Sequence, residues 1–249
     1  MAIVNLIISL LSFFLLIILL VLFRQKLIYF FQIRYLILVY GRYSFERLEY
    51  YKKNNLRSPY NTCIKDEIII HFMVFFKKIR NATDYQSNTK INFCDIPFMS
   101  TWKSFKKLKA APDCMNIARF TDAKVKVVGY NESWEGIRIK TLYYFLNNNF
   151  VLGEYHISES LKVNSVRVLQ KISSKYLQGI ELNGDVIYIT DTEKNQLNFE
   201  NNGFSIGIRY LYRGDEVINQ LLSNLFNEGG SEGEAYKKVL QKEGHLNRL

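Results

Sequence analysis

Three histidines, three cysteines and a few acids are the side chains in this sequence suited to proton transfer, nucleophilic attack or metal binding. His71 sits inside the apolar run Ile68–Phe76, where a hydrogen-bonded core histidine is the usual case. His245 is isolated near the C-terminus. His156 follows Glu154 by two residues, which on a strand puts both on one face, with Glu159 close behind. A base–acid pair of that kind can move a proton, although an ordinary polar strand end has the same composition. Cys63, Cys94 and Cys114 form no CxxC pair, and their spacings of 31 and 20 residues match no zinc template. Cys94-Asp95 and Asp113-Cys114 have no histidine at a metal-binding spacing. An odd number of cysteines without a framework suits a reducing compartment, where they act as small apolar residues; a single disulfide is the alternative. The sequence contains no Gly-rich phosphate loop, nucleophile elbow or HExxH. The expectation is a protein that is not an enzyme, with no catalytic, metal or cofactor residues.

Charge is more informative. The chain carries 33 Lys and Arg against 23 Asp and Glu, a net +10. Eight basic residues up to position 60 stand against Glu46 and Glu49, and eight more in 77–109 stand against Asp84 and Asp95. The excess therefore lies in the N-terminal half. Such a field suits anionic headgroups or a polyanion, and also an ordinary solvated helix face. In one segment, Trp102 and Phe105 interleave with Lys103, Lys106, Lys107 and Lys109, so that ring stacking and phosphate contact could coincide. These residues are the candidate polyanion contact. The helical spacing also explains the rings as core and the lysines as a wet face, so nucleic acid is not the expected partner. Trp134, between Glu132 and Glu135 on a predicted hairpin turn, is either a partner anchor or folded over the sheet.

The elements that position these residues begin with Ile3–Phe23, which holds no charge and only Asn5, Ser9 and Ser12 as polar residues. As a helix it is about 31 Å long, the thickness of a bilayer core. Arg24 and Lys26 follow directly, the N-terminus is uncharged, and the apolar run is too long for a cleaved signal peptide. The expectation is one retained transmembrane helix over 1–23 with its N-terminus outside. The main domain is then on the cytosolic or matrix side of a mitochondrial or bacterial inner membrane. The apolar stretch Leu27–Tyr40 has Arg34 at its centre. It is expected to continue the first helix at the interface or against a neighbouring subunit, rather than to cross again. Arg24, Lys26, Tyr29, Arg34, Tyr35 and Tyr40 are the expected membrane and partner contacts there. Residues 24–60 are read as juxtamembrane basic helices, including a short one over Phe45–Lys53.

Residues 61–227 are read as an α+β domain. Asp66 caps a core helix reaching about Ile79, and Thr101 caps another with Trp102, Phe105 and Leu108 facing inward. Strands are predicted at Lys124–Tyr130, Ile137–Leu146, Phe150–His156, Ser165–Ile172, Asp185–Thr190 and around Phe204–Tyr210, with turns at Gly129–Gly136 and Asn147–Asn149. The spacing leaves no room for helical crossovers and predicts an antiparallel meander. Asp215 opens a last helix with Val217, Leu221, Leu222 and Leu225 on one face. Residues 228–249 are a Gly-rich linker and a tail in which Tyr236 is the expected partner contact.

The passage Ala123–Val128 followed by Ile137–Phe145, within this element order, resembles the Tim44-like members of the cone-shaped NTF2 superfamily over roughly residues 64–200. The resemblance implies helices followed by a curved antiparallel sheet, a concave apolar pocket, a scaffold or docking role, and no catalytic set. The expected function is a non-enzymatic, membrane-anchored accessory subunit of a larger inner-membrane complex. The alternatives are a VirB8-like component of a bacterial conjugation or secretion channel, with its domain outside, and an enzyme or small-molecule binder using an NTF2-type pocket.

Overall fold

The computed structural model describes residues 2–64, 72, 82–119, 123–134, 136–158, 165–214, 216, 219 and 220. In the first helix, the side chains of residues 2–8, 16, 19, 20 and 22 lie outside that description. The chain divides into two compact units, Met1–Ser58 and Pro59–Leu249.

The first unit is built from α1 (Ala2–Tyr40) and α2 (Phe45–Lys53). With 39 residues, α1 is about 58 Å long at 1.5 Å per residue. It runs unbroken through Leu27–Tyr40, as expected of that stretch. Gly41, at φ 89°, ends it in the left-handed region and donates its N–H to the Ile37 carbonyl at 3.0 Å. Ser44 then caps α2 by accepting from the Arg47 N–H at 3.3 Å, while Lys52 and Lys53 occupy the C-terminal turn, where the helix dipole favours cations. The boundaries of α2 match those read from the sequence.

The membrane span requires correction. Among the described residues no helix is long and apolar enough to cross a membrane. The single-pass anchor, the orientation deduced from it and the inner-membrane location fall with that finding.

The second unit is organised by one eight-stranded sheet. In chain order its elements are β1 (Thr83–Ser87), α3 (Trp102–Leu108), β2 (Cys114–Arg119), β3 (Lys124–Trp134), β4 (Ile137–Leu146), β5 (Asn149–Ile157), α4 (Ser165–Tyr176), β6 (Val186–Asp191), β7 (Gln196–Asn201) and β8 (Ile206–Leu211). The strand order is β1-β6-β7-β8-β5-β4-β3-β2. All neighbours are antiparallel except β1 and β6, which run parallel. The expected order of helices followed by an antiparallel cone is therefore corrected to a sheet-dominated α+β fold. Its sheet is mixed, and its helices are interspersed with the strands.

Three local corrections have physical causes. Ser165–Ile172 is not a strand but the start of α4. Val166 and Val168 around Arg167 mimic alternation, whereas the buried set Val168, Leu169, Ile172, Ser173 and Tyr176 follows the helical period. The turn expected over Gly129–Gly136 is narrower, because β3 continues to Trp134, which pairs with Ile137. Phe204 is 85% exposed and outside β8. There the Asn202 carboxamide oxygen accepts from the backbone N–H groups of Phe204 (3.0 Å) and Ser205 (2.7 Å), making a turn where alternation suggested strand. The short strands β1, β2 and β7 carry no predicted counterpart. The helix read from Asp66 to Ile79 lies outside the described residues except for Phe72. The helix from Asp215 lies outside them except for Glu216, Asn219 and Gln220, and the linker and tail lie wholly outside.

Both faces of the sheet are covered, which explains why Leu142–Leu146 is buried without alternation. On one face Leu142, Tyr144 and Leu146 join Phe72, Val125, Val127 and Leu211 in an aliphatic core. Cys63 and Cys114 belong to that core and are bonded to each other, with Cα atoms 4.9 Å apart. The disulfide corrects the reading of all three cysteines as reduced. It also ties the segment before it to edge strand β2, where the Met115 N–H donates to the Asn61 carbonyl at 3.0 Å. Gly129 pairs with Cys114, and a Cβ there would meet the Cys114 sulfur at 2.5 Å. Only glycine leaves room for the bridge.

Candidate functional site

Residues opposite one another in a ladder share a face, and the face alternates along a strand. Trp134, Tyr130 and Val128 pair with Ile137, Thr141 and Tyr143, so all six belong to one face. Gly153 pairs with both Tyr143 and Tyr210, which extends that face across β5 and β8. This is the aromatic face, opposite the aliphatic core.

Phe93 lies at its centre. Its ring is 5.1 Å from Tyr143, 4.8 Å from Tyr155 and 5.1 Å from Tyr210, centroid to centroid. Gly153 makes this possible, since a Cβ there would come within 2.1 Å of the Phe93 ring. The next residue, Cys94, has φ 50° and is followed by Asp95 at φ 57°. This left-handed pair turns the Cys94 thiol onto the Tyr155 hydroxyl at 2.7 Å. Burial, then the adjacent Cys94, push the Tyr143 and Tyr155 phenols far above their ordinary range. Burial, with Asp113 adding to it, raises Tyr130 to about 12. Thr141 donates its hydroxyl to Glu132 at 3.0 Å beside them. These phenols stay protonated, so the cluster offers hydrogen-bond donors and a thiol, and among the described residues no group of acids, histidines and cysteines could hold a metal ion.

Two helices flank this cluster on the same face. α3 rests on the Leu146 end of β4, with the Trp102 ring 5.4 Å and the Phe105 ring 5.1 Å from Phe145. Thr101 caps α3 as predicted, but Leu108 is exposed and not part of its buried side. Lys103, Lys106 and Lys107 are exposed, with the Lys106 ammonium 5.8 Å from the Trp102 ring centroid, while Lys109 reaches over the Tyr130 and Tyr143 rings at 5.9 and 5.5 Å. Trp102 is buried beneath the helix. α4 lies toward the Ile137 end. Its Tyr176 ring meets Tyr210 at 6.4 Å, and its Lys171 ammonium sits 3.9 Å above Trp134. Trp134 is thus half-buried and folded under α4, one of the two placements the sequence allowed.

The charged residues of the opposite face are committed to structure. Glu154 is buried and accepts from the Tyr144 hydroxyl at 2.9 Å and from Arg209 Nε at 3.2 Å, while Arg209 Nη1 donates to Glu200 at 2.5 Å. The two carboxylates outweigh the burial that opposes the charge, so Arg209 is held above its usual range. Glu154 is therefore bound to an arginine and a tyrosine. His156, half-buried on the same strand face, stands opposite Lys140 and Gly207. His71, Glu159, Tyr236 and His245 lie outside the described residues.

On α1, Lys26 lies over the Phe23 ring at 5.4 Å and Arg34 over Phe30 at 5.3 Å; the Tyr29 ring meets Tyr50 of α2 edge-on at 6.3 Å. Arg24, Tyr35 and Tyr40 are exposed. Sequence reading missed two features of the aromatic face. The Cys94–Tyr155 contact has no local sequence signal. The row Arg167, Lys171, Lys175 does have one, in its i, i+4, i+8 spacing. No family model, curated protein or solved structure matches this chain.

Proposed function

We propose that this protein is a non-enzymatic accessory subunit of a larger protein assembly, with α1 as its attachment element. The observation that carries this reading is the exposure of large apolar side chains along the described part of α1. Phe13, Phe14, Val21, Phe31, Tyr35 and Leu38 are each between 62% and 87% exposed. A contiguous apolar surface of that extent marks an interaction site. Burying one such side chain contributes about 1.5–3 kcal/mol, so a modest number suffices for stable assembly. The test is isolation of the full chain in mild detergent with chemical cross-linking. A stoichiometric protein partner, lost when Phe14, Phe31 and Leu38 are changed to serine, is expected. A chain that remains alone and monomeric, with α1 covered only by detergent or lipid, overturns the reading.

A second reading, a component of a conjugation or secretion channel, is favoured by the Cys63–Cys114 disulfide. Such bonds persist on the oxidising side of a cell envelope and are rare in reducing compartments. Thiol labelling of the chain unfolded without reductant separates the cases: one reactive thiol supports it, and three exclude it.

A further inference from the structure

We propose that the aromatic face carries a second docking surface, formed by α3 and α4, for an acidic segment of a partner protein. α4 turns its buried residues to the sheet and leaves Arg167, Gln170, Lys171, Ser174 and Lys175 around a shallow surface groove of about 530 Å³. α3 adds the exposed Lys103, Lys106 and Lys107 on the same face. Neither helix contains an acidic residue. Successive cations along α4 stand about 6 Å apart along the axis, four residues at 1.5 Å each. That is within the screening length of about 8 Å at physiological salt, so their fields add. The α4 lysines bring their stems over rings, with Lys171 above Trp134 and Lys175 5.2 Å from the Tyr176 ring centroid. These contacts restrict the ammonium groups before any partner arrives, which lowers the ordering cost of binding.

An acidic polypeptide fits this surface better than single-stranded nucleic acid, the other polyanion. Nucleic acid needs open aromatic faces on which bases stack. Trp102 is buried, and the face of Trp134 is covered by Lys171. What remains exposed is charge without a stacking platform, together with the side-chain amide and hydroxyl of Gln170 and Ser174. The surface belongs to the second unit, so its failure and the failure of an attachment role for α1 are separable.

The experiment uses the full chain in neutral detergent. Binding of a labelled poly-glutamate peptide is compared by fluorescence anisotropy with that of a labelled single-stranded oligonucleotide of equal charge. The peptide is expected to bind more tightly, and to weaken steeply as salt rises. The double variant Lys171→Glu/Lys175→Glu is expected to weaken it by about tenfold or more, since each cation is replaced by a repulsive charge. Lys171→Arg/Lys175→Arg should retain binding. If the reversal variant does not fold, judged by its melting curve, Lys103→Glu/Lys107→Glu on α3 replaces it. Absence of peptide binding, indifference to charge reversal, or tighter binding of the oligonucleotide would each overturn the proposal.

Discussion

The thiol and phenols around Phe93 show how closely single residues are fitted on the aromatic face. Gly153 carries no side chain because the Phe93 ring occupies that space, with three tyrosines around it. Gly153→Ala must displace Phe93 or bend β5, and is expected to cost about 1–3 kcal/mol in chemical denaturation, the usual range for overpacking. The same burial sets a pH limit. Tyr144 and Tyr210 are almost fully enclosed, and burial raises both well above 10. Tyr130 rises to about 12. The folded state thus holds these protons more tightly than the unfolded chain does. Their contribution is fully present below the unfolded value near 10 and is lost as pH rises through the folded values. Stability should fall from pH 10 upward by about 1.4 kcal/mol per pH unit for each buried tyrosine still protonated in the fold. Melting curves across that window, read together with phenolate absorbance, should show the last phenolates appearing only as the fold is lost. Ionisation of all 17 tyrosines while the fold persists would contradict the burial.

At the scale of elements, the disulfide closes a long loop in the second unit, 51 residues apart in sequence. Loop-closure entropy for that length corresponds to about 4 kcal/mol. The paired variant Cys63→Ala/Cys114→Ala should lower stability by that order, and reductant should have no further effect on it. Legibility divides at this scale too. α2, β4 and the Asn147–Asn148 turn were readable because their signals are local. Ser44 before a polar run caps α2, and asparagines accept the φ values of 46° and 75° that a two-residue hairpin turn requires. β1 was not readable, because Thr83–Ser87 is a polar edge strand whose existence depends on a parallel partner a hundred residues away. α4 was misread because valines favour strands locally, and only the sheet beneath it selects the helical face. Charge followed the same rule. Lys103–Lys109 stood out within one segment, whereas the sheet face it shares with α4 exists only after folding. The sequence left room for a single disulfide but did not name Cys63 and Cys114 as its partners, because spacing does not reveal which side chains meet.

The whole molecule joins two units of different character. The second buries aromatic and aliphatic residues on both faces of one sheet and carries its own disulfide. The first presents a long helix whose apolar side chains are largely exposed. A unit with its own core and covalent closure has what independent folding requires. Residues 59–249, produced without 1–58, are therefore expected to melt in one cooperative transition. They should retain the alkaline limit and the sensitivity to disulfide loss, and should show less self-association than the full chain. Calorimetry and sedimentation measure both properties. If the shorter chain loses cooperativity or aggregates, then α1 or α2 supplies part of the core, and the exposed helix is not a separate attachment element. If it folds and stays monomeric while the full chain assembles, the drive to assemble lies in the first 58 residues, and the basic face of the second unit can be probed without that drive.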